Sequence, residues 1–147
     1  MTEEQLNERK KAAERDRSYA HLSRFLSKTF GLMENALEQN ETVDVFARTQ
    51  CGGNPLAVIY GAERLPNSTM QAIAQEFHFD EITFVLPPSD PKHTARVRIF
   101  TQDREIPFAG HPTVGTATVL ARRGEVFGKK IGNEIVFEEI AGLTPVT

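Results

Sequence analysis

The amino-acid sequence predicts an α+β protein that is rich in strands. Short apolar or alternating segments, the pattern of β-strands, are separated by turns that contain glycine and proline. Apolar residues at helical spacing occur near the N-terminus, at residues 69–77 and again from Pro112. The helix from Pro112 is apolar on much of its surface, so we expect it to be largely buried.

Length, composition and charge narrow the class of protein. The chain has 147 residues, which fits one domain with a moderate core, and 39% of them are hydrophobic. A net charge of −3 gives no whole-chain sign of nucleic-acid binding. The single cysteine, Cys51, fits a reducing compartment. The N-terminus lacks an apolar signal core and no apolar run is long enough to span a bilayer. The sequence therefore predicts a cytoplasmic protein that binds neither membrane nor nucleic acid.

Residues 3–38 are predicted to form a helix that precedes the folded unit. The first half is charged and polar, which is typical of a solvated helix. The second half carries an apolar stripe that must pack on protein, formed by Leu22, Phe25, Leu26, Phe30, Met33 and Leu37. We expect the junction at residues 40–42. This divides the chain into an N-terminal helical extension, residues 1–40, and a folded unit, residues 41–147.

The first part of the folded unit is predicted to contain two strands and a helix. Residues 43–45 and 56–60 are apolar enough for strands, and the turn Gly52-Gly53-Asn54-Pro55 would join them. A helix at residues 69–77 follows, and Asn67 or Ser68 can cap its start.

The second part alternates strands with the third helix. Residues 82–86 form a short apolar strand that two prolines stop, and residues 95–101 alternate between apolar and arginine side chains. The helix from Pro112 should end near Arg123, because Gly124 is a natural terminator. Residues 134–138 are a last strand, and residues 142–147 are predicted to be a tail.

The segment 105–117 holds the first candidate site. His111 precedes a proline that suits the first position of a helix, because its missing N–H would have no partner there. The free N–H groups of that helix start can hold an anion such as a carboxylate. Gly115 and Ala117 are small enough for a ligand or another backbone to approach. A buried turn with a merely hydrogen-bonded histidine explains the same pattern, and the local sequence leaves both interpretations open.

Glu81 is the second candidate. It follows the amphipathic helix and begins a strand, and a carboxylate held half-buried at such a boundary can act as a general acid or base. Acidic residues at strand starts are more often simply solvated. The neighbouring Asp80 either acts on Glu81 through charge repulsion or points to water.

Three blocks together, at residues 44–59, 70–86 and 96–116, resemble in order and spacing the first half of the phenazine-biosynthesis (PhzF-like) family. The resemblance covers about residues 42–146. It implies the diaminopimelate-epimerase fold, in which each of two pseudo-symmetric lobes wraps a curved, mostly antiparallel sheet around a central helix. It also implies an active site in the cleft between the lobes. This chain would be one such lobe, preceded by its helical extension.

The resemblance also implies roles for single residues. Glu81 matches the family's general acid/base, and His111 matches the histidine that binds and helps to polarise the substrate. Asn54 matches a position near the substrate, although turn chemistry explains it equally well. The segment that receives the substrate carboxylate corresponds to Gly110, Thr113, Val114, Gly115 and Thr116.

The implied reaction is cofactor-free proton transfer at carbon in a small carboxylic acid. Neither a metal nor an organic cofactor is expected, and His21, His78 and His93 have no metal-ligand spacing.

One departure from the family leaves two functions open. Full-length members have a second lobe that supplies an aspartate from a Gly-Asp-Pro-type motif, and this sequence has no counterpart of that lobe. The first hypothesis is an isomerase or epimerase lobe, which would pair with a second copy as a homodimer or with a separate second lobe. The alternative is a non-catalytic half-domain that acts as an assembly or interaction module.

Overall fold

A computed structural model describes residues 2–8, 40–45 and 53–147 of the chain. Residues 3–8 are helical, in agreement with the predicted N-terminal helix. The rest of that helix, with its apolar stripe, lies outside the described residues, as does Cys51. The division into an extension and a folded unit therefore stays a prediction.

The described chain folds as a mixed α+β structure, as predicted. Two helices and nine strands follow residue 39 in the described ranges: β1 (Asn40–Val45), β2 (Asn54–Ile59), α1 (Asn67–Phe77), β3 (Ile82–Leu86), β4 (Ala95–Phe100), β5 (Glu105–Ile106), α2 (Gly110–Arg123), β6 (Glu125–Val126), β7 (Lys129–Lys130), β8 (Ile135–Glu139) and β9 (Gly142–Val146).

Most of the strands form one sheet. Its order is β1-β2-β3-β4-β8-β9, and the short strand β5 pairs with β4. Strands β2 and β3 are parallel, as are β4 and β8, while the other neighbours are antiparallel. The predicted, mostly antiparallel character of the sheet is therefore confirmed.

The two helices pack against opposite faces of this sheet. One core lies under α2 and contains Leu56, Val85 and Val97, together with Leu120 of the helix. The other core lies under α1 and contains Phe84 and Phe100, whose rings meet edge to face at 5.3 Å, together with Met70, Ile73 and Ala74 of the helix. The alternation of side chains along β3 and β4 sorts neighbouring residues into these two cores.

Helix α2 is the central element, and its burial is one-sided. Half of its fourteen residues are buried, whereas Val114 is 39% exposed. It ends at Gly124 with a φ of 75°, the left-handed conformation that glycine adopts readily, so the predicted terminator is confirmed. A Cβ atom added at Gly115 would lie 2.5 Å from Cδ2 of Leu56 and 2.6 Å from Cγ2 of Val45. The close approach that this glycine permits is therefore to core side chains.

The structure differs from the sequence prediction at three element boundaries. Strand β1 begins at Asn40, three residues before the predicted strand, and Asn54 and Pro55 belong to β2, where they pair with Val45 and Asp44. Helix α1 begins at Asn67 after an extended Pro66, with no side-chain cap. The N–H groups of Thr69 and Met70 instead bond to the Pro66 carbonyl.

The C-terminal region holds more strand than predicted. Residues 142–146 form β9, antiparallel to β8, and are not a tail. Pro145 is tolerated because β9 lies at the edge of the sheet. The β6–β7 hairpin was not predicted; its turn places Phe127 and Gly128 at φ values of 49° and 75°. Among the described residues, no helix is long and apolar enough to cross a membrane.

Candidate active site

A buried pair of hydroxyl groups brings the two candidate catalytic residues together. The Oγ1 atoms of Thr83 on β3 and Thr116 on α2 lie 2.8 Å apart. The Thr116 hydroxyl also donates to the Pro112 carbonyl at 2.7 Å, so its oxygen is left to accept from Thr83. This contact holds the first half of α2 against β3. It therefore brings the start of the helix close to the residue that precedes the strand.

Glu81 and His111 are in direct contact at that point. Nδ1 of His111 lies 2.6 Å from Oε2 of Glu81, and their side chains are 13% and 22% exposed. A carboxylate on one ring nitrogen orients an imidazole and fixes the role of the other nitrogen. The two side chains that the resemblance assigns to one active site are therefore in contact, while their catalytic roles remain a proposal.

The second ring nitrogen of His111 is left without a partner. Nε2 is buried and has no hydrogen bond among the described residues. A buried polar atom without a partner costs about 1–3 kcal/mol. A ligand or another chain that supplies a hydrogen-bonding group to Nε2 would remove this cost.

The start of α2 lies earlier than predicted. The helix begins at Gly110, with an extended Ala109 before it and no side-chain cap. Its first backbone bond runs from the Thr113 N–H to the Ala109 carbonyl at 3.3 Å. The first four N–H positions of a helix have no partner within it, and here they fall on residues 109–112. Because Pro112 has no N–H group, the free backbone donors at this helix start are the N–H groups of His111 and the two residues before it.

The other predicted substrate-binding residues have varied surroundings. Thr113 and Thr116 are buried, Gly115 faces the core, and Val114 is exposed. Asn54 is exposed at the start of β2. The substrate-binding roles of these residues and of Gly110 remain predictions.

Glu139 is a site-adjacent residue that the sequence analysis missed. It is 8% exposed and accepts hydrogen bonds from the Thr113 hydroxyl at 2.7 Å and from the Thr144 hydroxyl at 2.9 Å. The sequence does contain a signal for it. Along β8 the inward positions are Ile135, Phe137 and Glu139, so a carboxylate occupies a core position of an alternating strand.

Exposed apolar side chains flank the start of α2. Outside the helical residues 3–8, five of the described large apolar side chains are exposed, and four of them lie next to Thr113 or to the β8–β9 turn. The Ala141 N–H donates to the Pro107 carbonyl at 3.2 Å, which holds that turn against the segment before α2. We call the four side chains the apolar rim: Phe108, Val114, Ile140 and Leu143, which are 39–61% exposed.

The described residues gather no three His, Cys, Asp or Glu side chains of the kind that ligate a metal. The expectation of cofactor-free chemistry rests on the resemblance alone and stays a prediction.

The fold of the described residues places this chain among proteins that are built from lobes of the epimerase fold. The family described as "phenazine biosynthesis-like protein" (PhzC-PhzF) matches residues 43–147. The chain belongs to this family.

Relatives with curated names support this assignment. The "uncharacterized isomerase mll1393" of Mesorhizobium japonicum is 52% identical over 99 residues, which are 67% of this chain and 32% of the relative. The trans-2,3-dihydro-3-hydroxyanthranilate isomerase of Pseudomonas fluorescens is 49% identical over 78 residues, 53% of this chain and 28% of that enzyme. The chain thus spans about a third of the length of these relatives or less.

Solved structures share the fold. A PhzF-family protein of Enterococcus faecalis has a TM-score of 0.63 and 33% identity, covering 74% of this chain and 39% of the other. A hydroxyproline epimerase of Agrobacterium vitis, with a TM-score of 0.55 and 16% identity, covers 75% of this chain and 37% of the other. The latter shows the fold alone.

Proposed function

We propose that this chain is a lobe of an isomerase or epimerase that moves a proton between carbon atoms of a small carboxylic acid without a cofactor. The observation that carries the proposal is the 2.6 Å contact between His111 and Glu81 at the uncapped start of α2. It combines a proton carrier, a polarising imidazole and free N–H donors.

Each group would have one role in the reaction. One oxygen of Glu81, Oε2, contacts His111, and the other is available to take a proton from a substrate C–H bond. The electron pair of that bond moves into the conjugated part of the substrate. The N–H groups at the start of α2 would stabilise the negative charge that results, and Nε2 of His111 would do so when both nitrogens of the ring carry a proton. Glu81 would then return the proton to another carbon, which completes an isomerisation.

The substrate of the named relatives suggests the first compound to test. Trans-2,3-dihydro-3-hydroxyanthranilate contains a carboxylate, which the free N–H groups of residues 109–111 would bind. We propose a cytoplasmic location, since the composition and the single cysteine favour it.

We further propose that the site is incomplete without a second lobe. Two observations support this: the apolar rim is exposed beside the site, and Nε2 of His111 lacks a partner among the described residues. Exposed apolar patches of this kind mark interfaces. A second copy of the chain or a separate second lobe would cover the rim. A homodimer would hold two Glu81–His111 pairs but no aspartate from a second lobe, so its turnover should be weak or absent.

The alternative is a non-catalytic half-domain that serves assembly. The exposed rim fits this function as well, because an assembly module needs an interface but no proton carrier. The two functions differ in what they require of Glu81, since only the isomerase needs its ionisable carboxylate.

Proton exchange and mass in solution test the proposal together. The chain would be incubated with trans-2,3-dihydro-3-hydroxyanthranilate in deuterated water, and NMR would follow deuterium incorporation. A matched control is Glu76→Gln, which removes an exposed carboxylate from α1. Light scattering over a wide concentration range would give the oligomeric state. Exchange that depends on Glu81 but not on Glu76 supports the isomerase; a stable dimer with no exchange, even when a second lobe is added, supports the assembly module.

A further inference from the structure

Glu139 is a buried carboxylate that the proposed reaction does not use. It is 8% exposed at an inward position of β8, where the neighbouring inward residues are Ile135 and Phe137. A carboxylate is costly to bury unless hydrogen bonds compensate for the lost water. Both of its oxygens have a donor: the Thr113 hydroxyl on α2 and the Thr144 hydroxyl on β9.

These bonds link three elements at the start of α2. The Thr113 hydroxyl lies 2.7 Å from Oε1 of Glu139 and 2.8 Å from the carbonyl of Ala109, the residue before the helix, so its one proton is shared between these two acceptors. Glu139 therefore acts on the first turn of α2 through the side chain of Thr113. Thr144 joins the same carboxylate to the neighbouring strand, so the anchor is a strand pair and not a flexible loop.

The first turn of α2 needs such an anchor. No side chain caps the helix, and its first backbone bond, from the Thr113 N–H to the Ala109 carbonyl, is long at 3.3 Å. A negative charge near a helix N-terminus also interacts favourably with the helix dipole. Glu139 thus stabilises, through Thr113, the same first turn of α2 that carries His111.

We propose that Glu139 is a positioning residue for the Glu81–His111 pair and acts through Thr113 on residues 109–111. The catalytic importance of this role rests on the proposed function, whereas the predicted effect of Glu139 on the Glu81–His111 contact does not. Without the Glu139–Thr113 bond, the first turn of α2 is free to shift, and Nδ1 of His111 leaves the oxygen of Glu81. A merely structural role for Glu139 would lower stability and leave that contact unchanged.

The ring nitrogens of His111 report the contact without any substrate. In the full chain labelled with ¹⁵N-histidine, the His111 signals are assigned by their loss in His111→Gln. We expect Nδ1 to show the shift of a nitrogen bonded to a carboxylate, and Glu81→Gln to remove that shift. Glu139→Ala should also remove that shift, because Nδ1 then leaves the Glu81 carboxylate. Glu139→Gln should restore it, because an amide can bond to both threonine hydroxyls.

A second variant covers the case in which Glu139→Ala fails to fold. Thr113→Val breaks the same bond from the helix side and should change the His111 signals too. Its matched control is Thr118→Val, since the Thr118 hydroxyl bonds only to the Val114 carbonyl of its own helix among its described contacts.

Each outcome decides the proposal. It is overturned if folded Glu139→Ala or Thr113→Val keeps the parent's His111 signals, if Glu139→Gln fails to restore them, or if the parent lacks the carboxylate-bonded signature. A failure of the proposed function is distinguishable, because it would appear as absent proton exchange in a chain whose His111 signals still depend on Glu139.

Discussion

Nδ1 of His111 lies 2.6 Å from Oε2 of Glu81, although thirty positions separate the two residues in the chain. The Thr83–Thr116 hydrogen bond holds the helix that carries His111 against the strand that Glu81 precedes. This arrangement makes the role of each residue testable by conservative substitution.

Replacing Glu81 by Gln should abolish proton exchange in any active assembly of this chain. The amide keeps a hydrogen bond to His111 but cannot carry a proton between carbon atoms. Losing a general acid/base typically costs about 10²- to 10⁴-fold in rate. The thermal midpoint should stay close to that of the parent. NMR-detected exchange checks the rate and calorimetry checks the midpoint, with Glu76→Gln as the control. Equal rates in Glu81→Gln and the parent would remove Glu81 from the mechanism.

Gly115→Ala should destabilise the fold. The new Cβ atom would lie 2.5 Å from a Leu56 carbon and 2.6 Å from a Val45 carbon, so the core must shift. Overpacking of this kind typically costs about 1–3 kcal/mol. Gly132→Ala is the control, because a Cβ there meets nothing within 4 Å. Urea denaturation gives the free energies of unfolding, and a Gly115→Ala variant as stable as Gly132→Ala would show that α2 does not need a glycine there.

The stability of the protein should depend on Glu138 in acid. Burial raises the pKa of Glu138, but hydrogen bonds from the Asp90 N–H, the His93 ring and the Ser89 N–H outweigh burial and lower it from 4.5 to about 2. A carboxyl group with a lowered pKa in the folded state stabilises the fold above its ordinary pKa. That contribution should be lost as the pH falls from about 4.5 towards 2.

Thermal midpoints of the parent and of Glu138→Gln check this between pH 2 and pH 6. The parent should be the more stable at pH 6, and the difference should shrink as the pH approaches 2. A difference that stays constant over this range would contradict the account of Glu138.

Polar substitutions in the apolar rim should weaken self-association or binding of a second lobe. Ile140→Asn and Leu143→Asn change side chains that are 61% and 59% exposed, so the free energy of unfolding should change little. Phe127→Asn is the control, since Phe127 is also exposed but lies in the β6–β7 turn. Sedimentation velocity should show the two rim variants dissociating at higher concentrations than the parent and the control. Unchanged association in both would place the interface elsewhere.

The sequence predicted those parts of the fold whose signals are local. The apolar run of β3 and the glycine that ends α2 were predicted at their observed positions. Strand β9 was missed because its residues are mostly exposed and contain Pro145, and only pairing with β8 makes them a strand. The helix start was placed at Pro112 because proline favours that position, whereas the chain turns into the helix two residues earlier.

The same distinction between local signals and tertiary contacts applies to the candidate site. Glu81 and His111 were proposed from short motifs, and their contact depends on how α2 packs on β3. Glu139 was missed because its burial depends on two threonines, Thr113 and Thr144, that lie 26 and 5 positions away in the chain. The alternation along one strand shows that a carboxylate points inward, but it does not show which hydroxyl groups donate hydrogen bonds to it.

Complementation by a second lobe tests the central claim most directly. The chain would be mixed with the part of the Pseudomonas fluorescens isomerase that lies beyond its match to this chain, and isomerisation of trans-2,3-dihydro-3-hydroxyanthranilate would be measured against either part alone. We predict that each part alone turns over weakly or not at all, that the mixture is active, and that Glu81→Gln in this chain silences the mixture. Robust turnover by the chain as a monomer, or an active mixture that is indifferent to Glu81→Gln, would contradict the claim.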